Sequence, residues 1–422
     1  MNHLHCVRFA IVTVMCMVFS LQVGAASEQV AATTEIQTLN EAAIPQVNDP
    51  ISPAEMQDLS LTAKQNGISL SEAIARYAWN DNFAFAVARV RETYPASFSG
   101  ARIIDAENAS VLFSGPKPSG ANSAFEDLID VAPSVIIEYL GDQGYSEREL
   151  QAAIARIHYE LLDHAGVESA STMYDEDTRT VRSTVLLSGE SSLAIGELNN
   201  AANGALAESR ASELRGIATL VTVGRVPLGG LDSASYHYGG ESLSSGCSSG
   251  FGTRASSSTA GTRGISTAGH CANSSSDDGV ALTFQSEHVG AQGDFQWHTG
   301  GATESDDFYA GSSTATEVNL RDVAAVGTPV VGQNLCKNGV TNHASCQAVR
   351  KLNVCNGAAC NLVEMDARLA APGDSGGAIY WNYTAYGLHQ GWKYDPAWPA
   401  DRDLFSRADL IDNGLGVWIA TN

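Results

Sequence analysis

Three short stretches of this sequence carry side chains that together suit acyl transfer. In chain order they are Thr267-Ala-Gly-His270-Cys271, Gly293-Asp294-Phe-Gln-Trp297 and Pro372-Gly-Asp-Ser375-Gly-Gly377. A hydroxyl attacks a carbonyl carbon only when a base takes its proton, and an imidazole base needs a carboxylate to hold its tautomer. Ser375 offers the hydroxyl, His270 the imidazole and Asp294 the carboxylate. Gly373 lets the backbone N–H groups of Gly373 and Ser375 face a developing oxyanion with no Cβ in the way. Asp294 follows His270 by 24 residues and precedes a Phe-Gln-Trp run that suits a buried strand; Asp306 and Asp307 are its substitutes.

The elements that must position these residues differ along the chain. From about Val226 onward the sequence is rich in Gly, Ser and Thr, with short β-like runs such as Gly264-Ile-Ser-Thr-Ala, Val323-Ala-Ala-Val and Gly377-Ala-Ile-Tyr-Trp. Many short strands between turn residues predict an all-β barrel or sandwich, closed by a short helix over Leu404 to Ile411. Gly373-Asp-Ser375-Gly-Gly377 also fits the G-x-S-x-G elbow of α/β-hydrolase esterases. That fold orders its triad Ser, acid, His, whereas the only histidine after Ser375 is His389, with no Asp or Glu between them. The esterase reading fails on order, and it requires long helices alternating with strands.

On T-A-G-H-C, G-D-S-G-G and the intervals between the three residues, residues 230–422 resemble the bacterial chymotrypsin-like proteases of the α-lytic protease and streptogrisin group. The resemblance implies a double β-barrel, a cleft between the barrels and hydrolysis of protein or peptide substrates without metal or cofactor. It also implies disulfides Cys247–Cys271 and Cys336–Cys346. Cys355 and Cys360 depart from the pattern and are expected to close a short loop. The cysteine that many members carry before P-G-D-S-G-G is absent, with Leu369 or Ala370 near its place. Lys337, after Cys336, is expected to pair with Asp374 and hold the oxyanion turn. Leu388-His389-Gln390-Gly391 would be the strand that meets the substrate backbone, and some glutamate-preferring members carry a histidine at the place of His389.

The preceding half reads as helices and hairpins. Ser69 and Glu72 have the spacing of a capping box, and Leu150, Ile154, Ile157 and Leu161 recur as one face of an amphipathic helix. After each helical region comes a similar phrase, from Ala101 to Gly115 and from Tyr174 to Gly189, that reads as a hairpin turning at acidic residues. A repeat of about 70 residues follows. By layout this half matches the long pro regions of the resembled group, which help their own protease domains fold and inhibit them. The alternative is a binding domain retained in the mature protein.

The first residues read as a secretory signal, with Arg8, an apolar run from Phe9 to Val23 and then Gly24-Ala25-Ala26. The run is 15 residues, shorter than the roughly 20 of a membrane span. The expected organisation is signal 1–26, α+β pro region 27–225 and protease domain 226–422, exported and free of the membrane once the signal is removed. After Cys16 no cysteine occurs until Cys247, and six then follow, which favours disulfides over zinc because none has the C-x-x-C spacing. A formal charge of −23 argues against nucleic acid and anionic lipid as partners. The other class considered is a secreted binding protein that keeps the fold without the chemistry; the intact Ser375, His270 and Gly373 speak against it.

Overall fold

Three helices of the N-terminal half, those following Ser52, Ser69 and Ser146, begin where the sequence offers a side-chain acceptor to the first free backbone N–H groups. The computed structural model describes residues 50–187, 195–208, 217–224, 239–257, 261–277, 279–300, 305–311, 319–395 and 398–422. Ser69 Oγ accepts from the Glu72 N–H at 3.1 Å and opens helix Leu70–Tyr77. Ser146 and Glu149 form a reciprocal capping box at the head of helix Glu147–Leu162, satisfying donors that the helix itself cannot. The predicted face of that helix, Leu150, Ile154, Ile157 and Leu161, is buried.

Both predicted hairpins form, Phe98–Ile103 with Asn108–Phe113 and Val167–Asp175 with Thr180–Leu187. Acidic side chains shape the turns: Asp105 accepts from the N–H groups of Glu107 and Asn108, both at 2.9 Å, and Asp175 from those of Asp177 and Thr178. The repeat extends beyond helix plus hairpin. In each unit a helical segment follows, and a further strand, Ile136–Leu140 or Ala218–Gly224, returns parallel to the second hairpin strand. Each unit has its own core, one around Trp79, Phe83, Phe113 and Phe125, the other around Ile154, Ile157, Val181 and Val185.

From Gly239 onward the described residues are strand-rich. One six-stranded sheet contains Arg263–Thr267 beside Gly293–Thr299, the strands leading to His270 and carrying Asp294. A second sheet runs through Asn334–Lys337, Ala378–Trp381, Thr384–Asp395, Trp398–Arg407, Ala359–Met365 and Ser345–Asn356. Asn334–Lys337 also pairs with Ser345–Asn356, so the hydrogen-bonded path through these six strands returns to its start. The expected helix over Leu404 to Ile411 is corrected. Leu404 to Arg407 belong to strand Trp398–Arg407, paired on both sides, and helix Ile411–Leu415 follows a short 3₁₀ turn. Ladders on both edges, with Leu404 and Phe405 fully buried, override the local helical composition.

The N-terminal half is built onto this sheet. Its strand Val167–Asp175 adds to Ser345–Asn356 through Thr172 opposite Cys355 and Ser171 opposite Asn356. Helix Pro53–Asn66 contributes Leu59 and Ala63 to the same core as Phe308, Tyr380, Trp381 and Tyr386. Beside them Arg321 grips Asp58 with two 2.8 Å bonds, both side chains buried. The three disulfides join the expected pairs, Cys247–Cys271, Cys336–Cys346 and Cys355–Cys360. The expected leader, residues 1–26, and the expected junction at 225/226 lie outside the described residues. Among the described residues no helix is long and apolar enough to cross a membrane.

Candidate active site

His270 stands just beyond the end of strand Arg263–Thr267, in a turn tied down on both sides. Cys271 is bonded to Cys247, and Thr267 Oγ1 donates to the Ser248 carbonyl at 2.8 Å. Gly269 is needed here, because a Cβ would come within 2.6 Å of Asp294 Oδ1 and 2.8 Å of the Phe295 carbonyl. That close approach lets one carboxylate hold His270 twice. Asp294 Oδ1 accepts from the His270 backbone N–H at 2.9 Å, and Oδ2 lies 2.6 Å from His270 Nδ1. Asp294 is itself buried and anchored, its N–H donating to Ser406 Oγ at 2.9 Å. Asp306 and Asp307 are engaged elsewhere, with Arg263 and Ser305.

Burial disfavours the His270 imidazolium, but the bond and charge of Asp294 outweigh it and the pKa is raised above the ordinary 6.5. With Nδ1 bound to a carboxylate, Nε2 is left to exchange a proton. The ring keeps about a third of its surface exposed, at 36%.

Ser375 lies in a turn docked against the His270 turn. Its carbonyl accepts from the Ser248 N–H at 2.7 Å, and Ser248 Oγ donates to the Gly373 carbonyl at 2.8 Å. Gly376, at φ 87°, packs so closely that a Cβ would meet Thr267 Oγ1 at 2.2 Å and the Ser248 carbonyl at 2.3 Å. Ser248 and Thr267 therefore clamp the two turns together. Gly373 has φ 100°, a conformation that a side chain would strain. Among the described residues, neither the Gly373 nor the Ser375 N–H has an acceptor.

The inside of the turn is held by Asp374. Its carboxylate accepts from Lys337 Nζ at 2.9 Å and from the N–H groups of Ala371 at 3.0 Å, Thr341 at 2.8 Å and Asn342 at 3.1 Å. The expected Lys337–Asp374 pair is thus present and buried. Burial alone would raise the Asp374 carboxyl; Lys337, with the backbone donors, outweighs it and lowers the pKa below the ordinary value.

Of the residues expected to meet substrate, His389 is bonded through its backbone to Gly376 and Gly377, at 2.7 and 2.8 Å. Its ring is buried and turned toward Asp403, with Nε2 3.6 Å from Oδ1. Gln390 and Gly391 follow on the same strand, Thr384–Asp395. The sequence reading missed Ser248, Ser406 and Asp403. Ser248, next to Cys247, had a local signal; Ser406 and Asp403 had none.

No protein-family model and no curated protein matches the chain. The resemblance expected from the motifs is met among solved structures of bacterial chymotrypsin-like proteases. The chain is similar to the Nocardiopsis protease NAPase at 21% identity and TM-score 0.35, over 45% of this chain and 98% of that one. It is similar to Cellulomonas bogoriensis chymotrypsin at 22% identity and TM-score 0.35, over 44% and 98% of the two chains. It is also similar, at 24% identity and TM-score 0.36 over 44% and 99%, to a glutamic-acid-specific serine protease described as using a histidine triad in substrate binding.

Proposed function

We propose that the chain is the precursor of a secreted serine endopeptidase, with Ser375 as nucleophile, His270 as general base and Asp294 as the residue that orients it. The observation that carries this reading is the Asp294 carboxylate bound to both the backbone and Nδ1 of His270, at 2.9 and 2.6 Å. A surface histidine has no use for so fixed a tautomer, whereas a base beside a serine does. Ser375 Oγ attacks the peptide carbonyl and its proton passes to His270 Nε2. The N–H groups of Gly373 and Ser375 take the oxyanion. As the intermediate collapses, His270 returns the proton to the leaving amine; water then releases the acyl group by the same route.

The returning path of six strands and the separate six-stranded sheet suit the two barrels of a double β-barrel, with residues 226–422 as the protease domain. His389, Gln390 and Gly391 are assigned to the substrate strand. Residues 27–225 are assigned to a pro region acting as intramolecular partner, and residues 1–26 to the export signal. Strand addition at Thr172–Cys355 supports the partner role, since a distant β pairing that forms slowly gains from a template. Three disulfides suit an oxidising compartment outside the cytoplasm.

The test is hydrolysis of a mixed peptide pool by purified protein, wild type against Ser375→Ala and His270→Ala. Cleavage that both substitutions abolish supports the reading. Cleavage that survives Ser375→Ala overturns it.

A further inference from the structure

A charge taken out of water is costly unless a partner meets it, and an arginine cannot shed its charge. Arg254, the last residue of strand Gly252–Arg254, is in that position, with 7% of its surface exposed. Its Nη2 donates to Thr421 Oγ1 at 2.9 Å and its Nε has no acceptor. Among the described residues no carboxylate pairs with it. The strands on either side bring no anion. Arg263 stands directly opposite on one of them, a second cation on the same face, and is itself met by Asp306 at 3.8 Å. Trp418 stands directly opposite on the other.

Arg254 lines a cavity of about 240 Å³ that opens to solvent, many times the roughly 10–15 Å³ that one water needs. Val326, Ile411 and Trp418 give it an apolar wall, and Asp409 and Asp412 line it as well. Neither acid neutralises Arg254. Asp409 accepts from Arg407 at 2.6 Å and from Thr328 Oγ1 at 2.8 Å, so its charge is already offset. Asp412 accepts, through Oδ1, from the N–H and the side-chain amide of Asn413, at 2.8 and 3.1 Å. The lining is left with one cation and one carboxylate that are not joined. A single negative charge can meet Arg254 there, whereas a second would be repelled by Asp412.

We propose that this cavity is a binding site for a small monocarboxylate with an apolar tail, the carboxylate on Arg254 and the tail against Val326, Ile411 and Trp418. A guanidinium presents its N–H donors in the planar fork that a carboxylate matches, and the tail and the wall remove each other's apolar surface from water. The site is distinct from the Ser375 centre and does not depend on the acyl-transfer reading. Arg254 pairs with Arg263, the first residue of the strand Arg263–Thr267, whose other end leads to His270.

The test titrates the full chain at neutral pH with isovalerate, acetate and inorganic sulfate, read by calorimetry and by the rise in Tm that a ligand of the folded state produces. Isovalerate should bind at a single site, about tenfold or more tighter than acetate, which lacks the tail, and tighter than the dianion sulfate. Arg254→Gln should weaken isovalerate by about tenfold or more, the effect of losing a charge-assisted hydrogen bond. Asp412→Asn, which removes the like charge from the lining, should tighten it. A wild type that shows no saturable isovalerate binding overturns the proposal even if Arg254→Gln fails to fold. So does sulfate that binds as tightly as isovalerate, or a folded Arg254→Gln with unchanged affinity.

Discussion

An imidazole acts as a base only when neutral, and Asp294 shifts that equilibrium at His270 in a defined direction. Because Asp294 raises the His270 pKa against burial, activity should be lost as pH falls through a value above 6.5. In Asp294→Asn the acid limb of kcat/KM should move to lower pH while kcat falls by about 10⁴-fold, as for a triad that loses its tautomer control. A pH–rate profile of both enzymes checks this; an unmoved limb would separate Asp294 from His270. Lys337→Ala tests the turn. It strands Asp374 as a buried unpaired charge, a change worth roughly 3–5 kcal/mol, and should abolish activity and lower Tm. Asp374, with its depressed pKa, stabilises the fold above its unfolded value of 3.8, and this is lost as pH falls through the folded one. Intact activity in Lys337→Ala would contradict the account of the turn. The His270 and Ser375 turns were legible because each is written locally, in Thr-Ala-Gly-His and Gly-Asp-Ser-Gly-Gly, where glycines permit the close approaches. Ser406, which anchors Asp294 from 112 residues away, leaves no such mark.

Among the elements, the Ser69 cap and the 3.6-residue pattern of Leu150, Ile154, Ile157 and Leu161 marked two of the N-terminal helices, and acidic turns marked both hairpins. The short apolar run at Leu404 could not be told from a helix by periodicity, and only its two sheet partners decide it. The parallel return strands were equally hidden, since nothing in Ile136–Leu140 names its neighbour. One cross-element contact yields a prediction. His158, buried in helix Glu147–Leu162, lies 2.7 Å from the Gly357 carbonyl through Nε2 and 3.1 Å from Thr172 Oγ1 through Nδ1. Burial lowers its pKa to about 4, against the bond to Gly357. The folded state thus refuses a proton that the unfolded chain accepts below about 6.5, so the His158 contribution is full above that pH and is lost as pH falls toward 4. The Tm advantage of wild type over His158→Gln should therefore shrink between pH 7 and pH 4. An advantage that grows on acidification would contradict the assignment.

At the scale of the whole molecule the two halves share a core and a sheet, so the N-terminal half is built onto the strand-rich half rather than tethered beside it. Asp58→Ala leaves Arg321 buried without its carboxylate. Such a loss typically costs 3–5 kcal/mol, at roughly the level of a whole domain's stability, and should sharply cut the yield of folded protein. Arg321→Met/Asp58→Leu should recover part of that yield, since apolar replacement of both partners removes the stranded charge. The change from helix-bearing to strand-rich elements was legible in the composition; the shared core was not, because it joins residues more than 250 positions apart. The most direct test of the central claim is reaction of the purified protein with a fluorophosphonate, with the mass of the labelled species recorded for wild type and Ser375→Ala. The account predicts one label on a C-terminal fragment that begins near residue 226, absent in the variant. A folded, processed wild type that takes no label, or a label that persists in Ser375→Ala, would contradict it.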